Sequence, residues 1–147
     1  MKEILMRSMT EKDIASVVTI EKTSFSLPWS ETSFIKELYR ERSIPKVAEL
    51  DGAVIGYVCF DYVLDEGHIL NLAVHPDYRR RGIATVLVKN ALEELKLKGC
   101  RFVYLEVRAS NLTAIMIYRR LGFTVVGERK KYYVGPVEDA AIMMLEL

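Results

Sequence analysis

The sequence predicts a mixed α/β domain in which helices lie on both faces of a seven-stranded sheet. Apolar runs rich in Val, Ile and aromatic residues, typical of strands, alternate with segments whose apolar residues recur every three or four positions, as in amphipathic helices. The chain of 147 residues is long enough for one domain with a substantial core. No repeat, low-complexity tract or Gly/Ser linker divides it. We therefore expect residues 1–147 to form a single layered domain of α/β (mixed α+β) type.

The first half of the chain is predicted to form a strand, two helices and then three strands. Thr10 and Ser30 stand directly before helical patterns, and both are residue types that cap helix N-termini. Ile35 and Leu38 are expected to be buried in the second helix. Asp51-Gly52 between two apolar runs is typical of a hairpin turn. The predicted elements are a strand at 3–9, helices at 11–24 and 30–40, strands at 46–50, 53–63 and 68–75, and a turn at 65–67.

The second half is predicted to alternate helices with strands. Gly99 and Gly122 are placed to end two helices. The predicted elements are helices at 82–98 and 111–121, and strands at 101–107, 123–133 and 138–147. The overall order is β-α-α-β-β-β-α-β-α-β-β. Because the strands at 68–74 and 102–107 are almost wholly apolar, we expect them at the centre of the sheet with both faces buried.

Charge and hydropathy exclude several classes of protein. Lys and Arg number 21 against 20 Asp and Glu, a net charge of +1, which argues against nucleic-acid binding through bulk charge. The start MKEILMRSMTEKD lacks the apolar segment of a signal peptide. No apolar run approaches the roughly 20 residues that a membrane-spanning helix needs. We therefore expect a cytoplasmic protein that binds no membrane.

The cysteines and histidines do not indicate a metal site. Cys59 and Cys100 have no metal-like spacing and lie among apolar residues. Buried free thiols in a reducing compartment are therefore expected, with a catalytic or bridged role as the alternative. His68 and His75 lie in or beside a strand and are interpreted as structural or surface residues. No metal ligand is predicted.

A basic turn opens directly into the helix at 82–98. It runs Arg79-Arg80-Arg81-Gly82-Ile83-Ala84 and follows a predicted central strand. A helix N-terminus presents unpaired N–H groups and the positive end of the helix dipole, which together can hold phosphate oxygens. The arginines can add charge-assisted hydrogen bonds. The alternative is an ordinary solvated helix start.

Glu106 stands inside the apolar run FVYLEV. Carboxylates are rarely buried without a partner. The residue is therefore paired with Arg101 or Arg108, placed at a sheet edge, or a general base. On the next helix Asn111, Ala114 and Tyr118 share one face. Tyr118 is either an ordinary half-buried tyrosine or a proton donor, and Asn111 is also a natural helix N-cap.

Several motifs together resemble the GNAT superfamily of N-acetyltransferases, and within it the RimI-type ribosomal-protein-alanine N-acetyltransferases. They are LPWS at 27–30, LDE at 64–66, NLAVHPDYRRRGIA at 71–84, LEVRASN at 105–111, AIMIYRRLGF at 114–123, KYY at 131–133 and EDAAIMML at 138–145. The resemblance implies the GNAT fold, with a splayed central sheet of seven strands flanked by four helices. It also implies acetyl-CoA as co-substrate and no metal.

The resemblance implies a role for each candidate residue. Glu106 would be the general base and Tyr118 the general acid. The expected contacts of acetyl-CoA are Leu72, Ala73, Val74, Arg79, Arg80, Arg81, Gly82, Ile83, Ala84, Thr85, Asn111, Ala114 and Tyr118. The expected contacts of the acceptor are Leu27, Pro28, Trp29, Asn71, Tyr132 and Tyr133. Trp29 has an alternative role as a hydrophobic staple at the helix start.

The function expected from this resemblance is acetyl transfer from acetyl-CoA to the N-terminal α-amino group of a protein, an alanine-starting ribosomal protein above all. One alternative is a GNAT enzyme that acetylates a small amine, such as a polyamine or an aminoglycoside. Another is a non-catalytic acyl-CoA-binding module, against which the presence of both Glu106 and Tyr118 speaks. Nucleic-acid binding through Arg79, Arg80 and Arg81 is disfavoured because three arginines make few phosphate contacts.

Overall fold

A seven-stranded mixed sheet forms the middle layer of the protein. The computed structural model describes residues 3–147. Its strands are β1 (Leu5–Ser8), β2 (Ser43–Leu50), β3 (Ala53–Val63), β4 (Glu66–Val74), β5 (Phe102–Arg108), β6 (Thr124–Tyr133) and β7 (Glu138–Glu146). Its helices are α1 (Ile14–Ser24), α2 (Glu31–Tyr39), α3 (Ile83–Leu97) and α4 (Leu112–Arg120), with 3₁₀ turns at Glu11–Asp13 and Pro76–Tyr78. The spatial order is β1-β2-β3-β4-β5-β7-β6, in which only β4 and β5 run parallel.

The helices cover both faces of the sheet, as the sequence predicts. One buried cluster joins α3 and α4 to the sheet and includes Leu87 and Leu105. A second cluster joins α1 and α2 to the opposite face and includes Ile20 and Phe34. Burying such apolar surface is the main favourable term in folding. Cys59 and Cys100 are buried and free, as predicted, and burial raises the pKa of both thiols above the usual cysteine range.

The two central strands are β4 and β5, as predicted, but the expectation that both faces of both strands are buried is wrong. In β4, His68, Leu70 and Leu72 are only half-buried. Val103, Leu105 and Val107 are buried, whereas Tyr104 and Glu106 on the alternate face are only half-buried. The physical reason is the reach of the helices, since α1 packs on β3 and β4 and α2 packs on β2. The face of β5 that carries Glu106 therefore lies beside the α1–α2 layer rather than beneath it.

The buried face of α2 also differs from the prediction. Phe34 and Glu37 are buried, while Ile35 and Leu38 are half-buried. The packing of Trp29 accounts for this change in the buried face of α2, because its ring lies 5.3 Å from that of Phe34 across the first turn of the helix. This is the hydrophobic-staple contact that was one of its two predicted roles.

The observed element boundaries follow the predicted ones closely, with three exceptions. The strand predicted at 46–50 already begins at Ser43. The helix expected at 11–24 begins as a 3₁₀ turn and becomes α-helical only at Ile14. The turn expected at 65–67 lies one position earlier, because Leu64 adopts a φ of 55° and Glu66 already belongs to β4. Among residues 3–147 no helix is both long and apolar enough to cross a bilayer.

Candidate active site

The two central strands separate halfway along their length. They are paired from Glu66 and Phe102 as far as Ile69 and Leu105. A β-bulge lies at this point, because Ile69 pairs with Phe60 while Asn71 already pairs with the preceding residue of β3. Beyond it, residues 71–74 of β4 pair with β3, and β5 no longer lies alongside. Main-chain groups on this side of β4 therefore face a gap in the sheet.

Glu106 is the first residue of β5 after the last pair with β4. Its Oε2 lies 2.6 Å from Nε2 of His68, and its Oε1 lies 3.6 Å from Nε of Arg129. The Glu106 side chain is 13% exposed. The carboxylate thus lies where β4 and β5 separate, with His68 as its close partner and Arg129 as a more distant one.

The arginines that the sequence offered as partners of Glu106 make other contacts. Arg108 donates to a carboxylate oxygen of Glu138 at 3.3 Å and to the carbonyl of Val134 at 2.8 Å. The guanidinium of Arg101 lies over the ring of Phe102, 5.4 Å from its centroid. His68, interpreted from the sequence as structural or surface, is partly exposed and contacts the candidate base. The other histidine, His75, accepts a hydrogen bond from the N–H of Asp77 and shapes the turn after β4, which agrees with its predicted structural role.

Tyr118 is buried, and its ring packs edge-on against Phe123 at 5.7 Å. Burial, and next to it the neighbouring Tyr133, raises the pKa of Tyr118 above the usual tyrosine range. Burial likewise raises the pKa of Tyr133 to about 12, with further contributions from Tyr132 and Glu106. Tyr133 is thus an electrostatic neighbour of both candidate catalytic residues.

A buried carboxylate, which the sequence prediction missed, joins the loop between α1 and α2 to the sheet. Glu21 of α1 is 1% exposed. It accepts hydrogen bonds from the N–H of Trp29 at 2.9 Å, from Nδ2 of Asn71 at 2.8 Å and from the hydroxyl of Tyr57. A buried carboxylate is tolerated only with such partners. Its position was available as a signal, since Glu21 follows Val17 by four residues on the buried stripe of α1.

Asn71 and Arg79, predicted as binding residues, make contacts within the protein. Oδ1 of Asn71 accepts from the N–H of Leu72 at 3.0 Å, so that donor is already occupied. Arg79 donates from Nε to the carbonyl of Val74 and from Nη2 to the hydroxyl of Ser24, both at 3.1 Å. These contacts fix the end of β4 against α1 and hold the start of the basic turn in place.

The basic turn ends at an exposed helix N-terminus. Gly82 is the N-cap of α3 with a φ of 76°, and Arg80 also adopts a positive φ of 63°. The guanidinium of Arg81 lies over the ring of Tyr78 at 5.2 Å. The first main-chain N–H groups of a helix have no helical acceptor and can bind an anion. Here they belong to Ile83, Ala84 and Thr85.

Two loops meet beside the gap in the sheet. The hydroxyl of Ser26, between α1 and α2, donates to the carbonyl of Gly135, between β6 and β7, at 2.6 Å. Leu27 is 58% exposed and Tyr132 51% exposed. The ring of Tyr133 lies 5.0 Å from that of Tyr132, in an edge-on arrangement. The loop that carries Leu27 and Pro28 therefore contacts the loop that follows Tyr132 and Tyr133.

The predicted ligand-facing side of α4 packs partly into the protein. Asn111 caps α4, accepting from the N–H of Ala114 at 3.1 Å, so the predicted capping role is confirmed. Ala114 is half-buried against the main core and Tyr118 belongs to that core. Within the described residues, no group of three or more His, Cys, Asp or Glu side chains is arranged to hold a metal ion.

The mixed sheet thus opens between β4 and β5, and the start of α3 can bind an anion. The acetyltransferase (GNAT) family model matches residues 14–123, and the chain belongs to this family. It is 35% identical over 142 residues to ribosomal protein bS18-alanine N-acetyltransferase of Escherichia coli, covering 95% of each chain. These findings confirm the predicted family and fold.

Solved structures give the same result. The structure of the ribosomal-protein-alanine N-acetyltransferase from Escherichia coli aligns with a TM-score of 0.90 at 34% identity, over 98% of this chain and 94% of that one. The NatC complex bound to Gag peptide and CoA aligns with a TM-score of 0.85 at 25% identity, over 99% of each chain. The architecture is thus shared with an alanine N-acetyltransferase and with a complex that binds a peptide and CoA.

Proposed function

We propose that this protein transfers an acetyl group from acetyl-CoA to the N-terminal α-amino group of a protein, with an alanine-starting ribosomal protein as its substrate. The observation that carries the proposal is the position of Glu106, one residue past the point where β4 and β5 part. There a carboxylate can reach an amine that attacks a thioester bound in the gap. The names of the relatives support the substrate class, and a ribosomal substrate agrees with the predicted cytoplasmic location.

The gap and the start of α3 fit the two ends of acetyl-CoA. When bound, acetyl-CoA supplies an activated thioester carbonyl. The N–H groups of residues 83–85 would hold its pyrophosphate, with Arg80 and Arg81 close by. The main chain of residues 72–74 would pair with its amide-rich arm as an added strand does. A free N–H of this segment would stabilise the negative charge that develops on the thioester oxygen.

Glu106 and Tyr118 have complementary tasks in the proposed reaction. A peptide α-amino group titrates near ~8, so a modest base is enough to remove its proton near neutral pH. Glu106 accepts the proton of the ammonium form and passes it to solvent. The neutral amine then bonds to the carbonyl carbon, and Glu106 accepts the proton that the nitrogen loses as the amide forms. The thioester sulfur would leave with the bonding electron pair, and the hydroxyl of Tyr118 would donate its proton to that sulfur. Because burial raises the pKa of Tyr118, the hydroxyl remains protonated near neutral pH and is available as a proton donor to the leaving sulfur.

The acceptor peptide would lie between the two loops that meet at Ser26 and Gly135. Leu27, Pro28 and Trp29 form one wall, and Tyr132 and Tyr133 form the other. Exposed aromatic residues grip an extended chain by contact area and by hydrogen bonds from their hydroxyls. Glu21 fixes the main chain of Trp29, so the first wall is anchored to the same strand that borders the gap.

The substrate proposal predicts a ranking in an acetylation assay. Peptides that differ in their first two residues, including the N-terminus of the ribosomal protein, are compared with free polyamines and an aminoglycoside. We expect the highest kcat/KM for alanine-starting ribosomal peptides, because the loop walls offer area for a peptide. Turnover confined to the small amines would contradict the proposal and favour the alternative of a small-amine acetyltransferase.

The cofactor proposal predicts different effects of Gly82→Ala and Gly99→Ala. Both glycines adopt a positive φ, 76° and 87°, and an added Cβ meets no atom within 4 Å at either position. Each substitution should therefore lower the free energy of unfolding by about 1–2 kcal/mol. Only Gly82→Ala should weaken acetyl-CoA binding, by about tenfold, because a methyl group blocks close approach of the pyrophosphate to the main chain. Calorimetric titration measures the binding, and equal affinities in the two variants would contradict the proposed site.

A further inference from the structure

His68 lies on the same face of the sheet as Glu106. It pairs with Tyr104 across the β4–β5 ladder, and Glu106 is two residues beyond Tyr104 on β5. Alternate residues of a strand share a face, and diagonal neighbours are within reach of long side chains. The short distance of 2.6 Å between Nε2 and Oε2 is therefore a consequence of the strand register.

The two oxygens of Glu106 have unequal partners. Oε2 is in close contact with the imidazole, whereas Oε1 lies 3.6 Å from Arg129, which is beyond hydrogen-bonding distance. Arg129 is 56% exposed, so its side chain can give way to an incoming amine. One oxygen is thus held and the other remains for the reaction.

We infer that His68 is a positioning residue, whose Nε2–H donates to Oε2 of Glu106 and turns Oε1 toward the amine of the substrate. This inference rests on the proposed function of Glu106 as the base. It assigns to His68 a role in the reaction that the sequence prediction did not give it. Holding a catalytic group in its productive geometry contributes to the rate without contact with the reacting atoms.

The tests exploit two properties of the histidines. The His68 side chain is 39% exposed, so replacing it leaves no buried cavity and the variants should fold. The chain contains two histidines, and the other, His75, has a similar exposure of 35% and contacts Asp77. His75→Ala is therefore a matched control.

Kinetics with the peptide substrate show whether His68 acts by donating an N–H group to Glu106 or only by filling space. His68→Ala should lower kcat by about tenfold or more, because the carboxylate loses its fixed orientation. His68→Gln should stay within about threefold of the wild type, since its Nε2–H can replace that of the imidazole. His75→Ala should behave as the wild type. A wild-type kcat in His68→Ala would overturn the inference. So would an equal loss in His68→Ala and His68→Gln, which would show that the ring must itself take up a proton.

A measurement that does not depend on activity tests the contact itself. In protein labelled with ¹⁵N-histidine, the nitrogen shifts of His68 should show the Nε2–H tautomer. Glu106→Gln should move these signals and leave those of His75 in place. Unchanged His68 signals would overturn the inference. If the wild-type enzyme acetylates no peptide while the His68 signals respond, the proposed function fails and the contact stands.

Discussion

Glu106→Gln is expected to lower kcat for peptide acetylation by about 10²–10⁴-fold, the usual contribution of a general base. Glutamine has nearly the same shape, and its amide oxygen can still accept from His68, but it cannot take up the proton of the amine. Acetyl-CoA binding should be unchanged, because the proposed pyrophosphate site lies at the start of α3. Steady-state kinetics and calorimetric titration of acetyl-CoA measure the two quantities.

The control for Glu106→Gln is Glu128→Gln. Glu128 is an exposed carboxylate on β6, paired with Lys130 at 2.9 Å. Its replacement removes the same charge but no proposed catalytic group, so the kcat of this variant should equal that of the wild type. A wild-type kcat in Glu106→Gln would remove the assignment of the base.

The loss caused by Glu106→Gln is also expected to shrink as the pH rises. The α-amino group titrates near ~8, so above about pH 9 most peptide N-termini are already neutral amines. The reaction then depends less on a base that removes the ammonium proton. The ratio of wild-type to variant kcat/KM between pH 6.5 and 9.5 measures this. A constant ratio would mean that the carboxylate serves the reaction in another way.

The order of elements was predictable because local signals agree with one another. Asp51 and Gly52 mark a hairpin, and both adopt the positive φ that this turn chemistry favours. Gly82, Gly99 and Gly122 bound helices and also have positive φ. The roles that the resemblance implied for individual residues of β4, β5 and the start of α3 stay predictions.

The partners within the site were not predictable, because they depend on register and on the reach of long side chains. Glu106 and His68 are separated by 38 residues, and their contact requires the parallel pairing of β4 with β5. Arg108 shares a face with Glu106, yet it extends to the β6–β7 turn and pairs with Glu138.

Buried carboxylates were missed for a different reason. Glu21 and Glu37 follow apolar residues at helical spacing and fall on the buried stripes of α1 and α2. Sequence patterns assign charged residues to the solvent face. A glutamate on an apolar stripe is, however, a signal for a hydrogen-bonded buried group.

Tyr118→Phe is expected to lower kcat by about a hundredfold while the protein stays at least as stable. The substitution keeps the ring that packs against Phe123 and removes only the hydroxyl. We expect the lower end of the range for acid catalysis, because the raised pKa of Tyr118 makes it a weaker acid toward a thiolate. Kinetics and thermal unfolding measure the two effects.

Tyr62→Phe is the matched control for Tyr118→Phe. Tyr62 packs against the same core, with its ring near Lys98, so the variant loses a hydroxyl outside the proposed site. Its kcat should equal that of the wild type. Equal kcat values for Tyr118→Phe and the wild type would contradict the role of Tyr118 as the acid.

The pH profile at alkaline pH distinguishes a buried proton donor from an exposed one. An ordinary tyrosine loses its proton near ~10, so an exposed acid would lose activity there. Burial and the neighbouring Tyr133 raise the pKa of Tyr118, which moves deprotonation to higher pH and keeps the hydroxyl available. The wild-type kcat should therefore not fall between pH 9 and 10.5. A fall with its midpoint near pH 10 that is absent in Tyr118→Phe would show that Tyr118 ionises as an exposed tyrosine does.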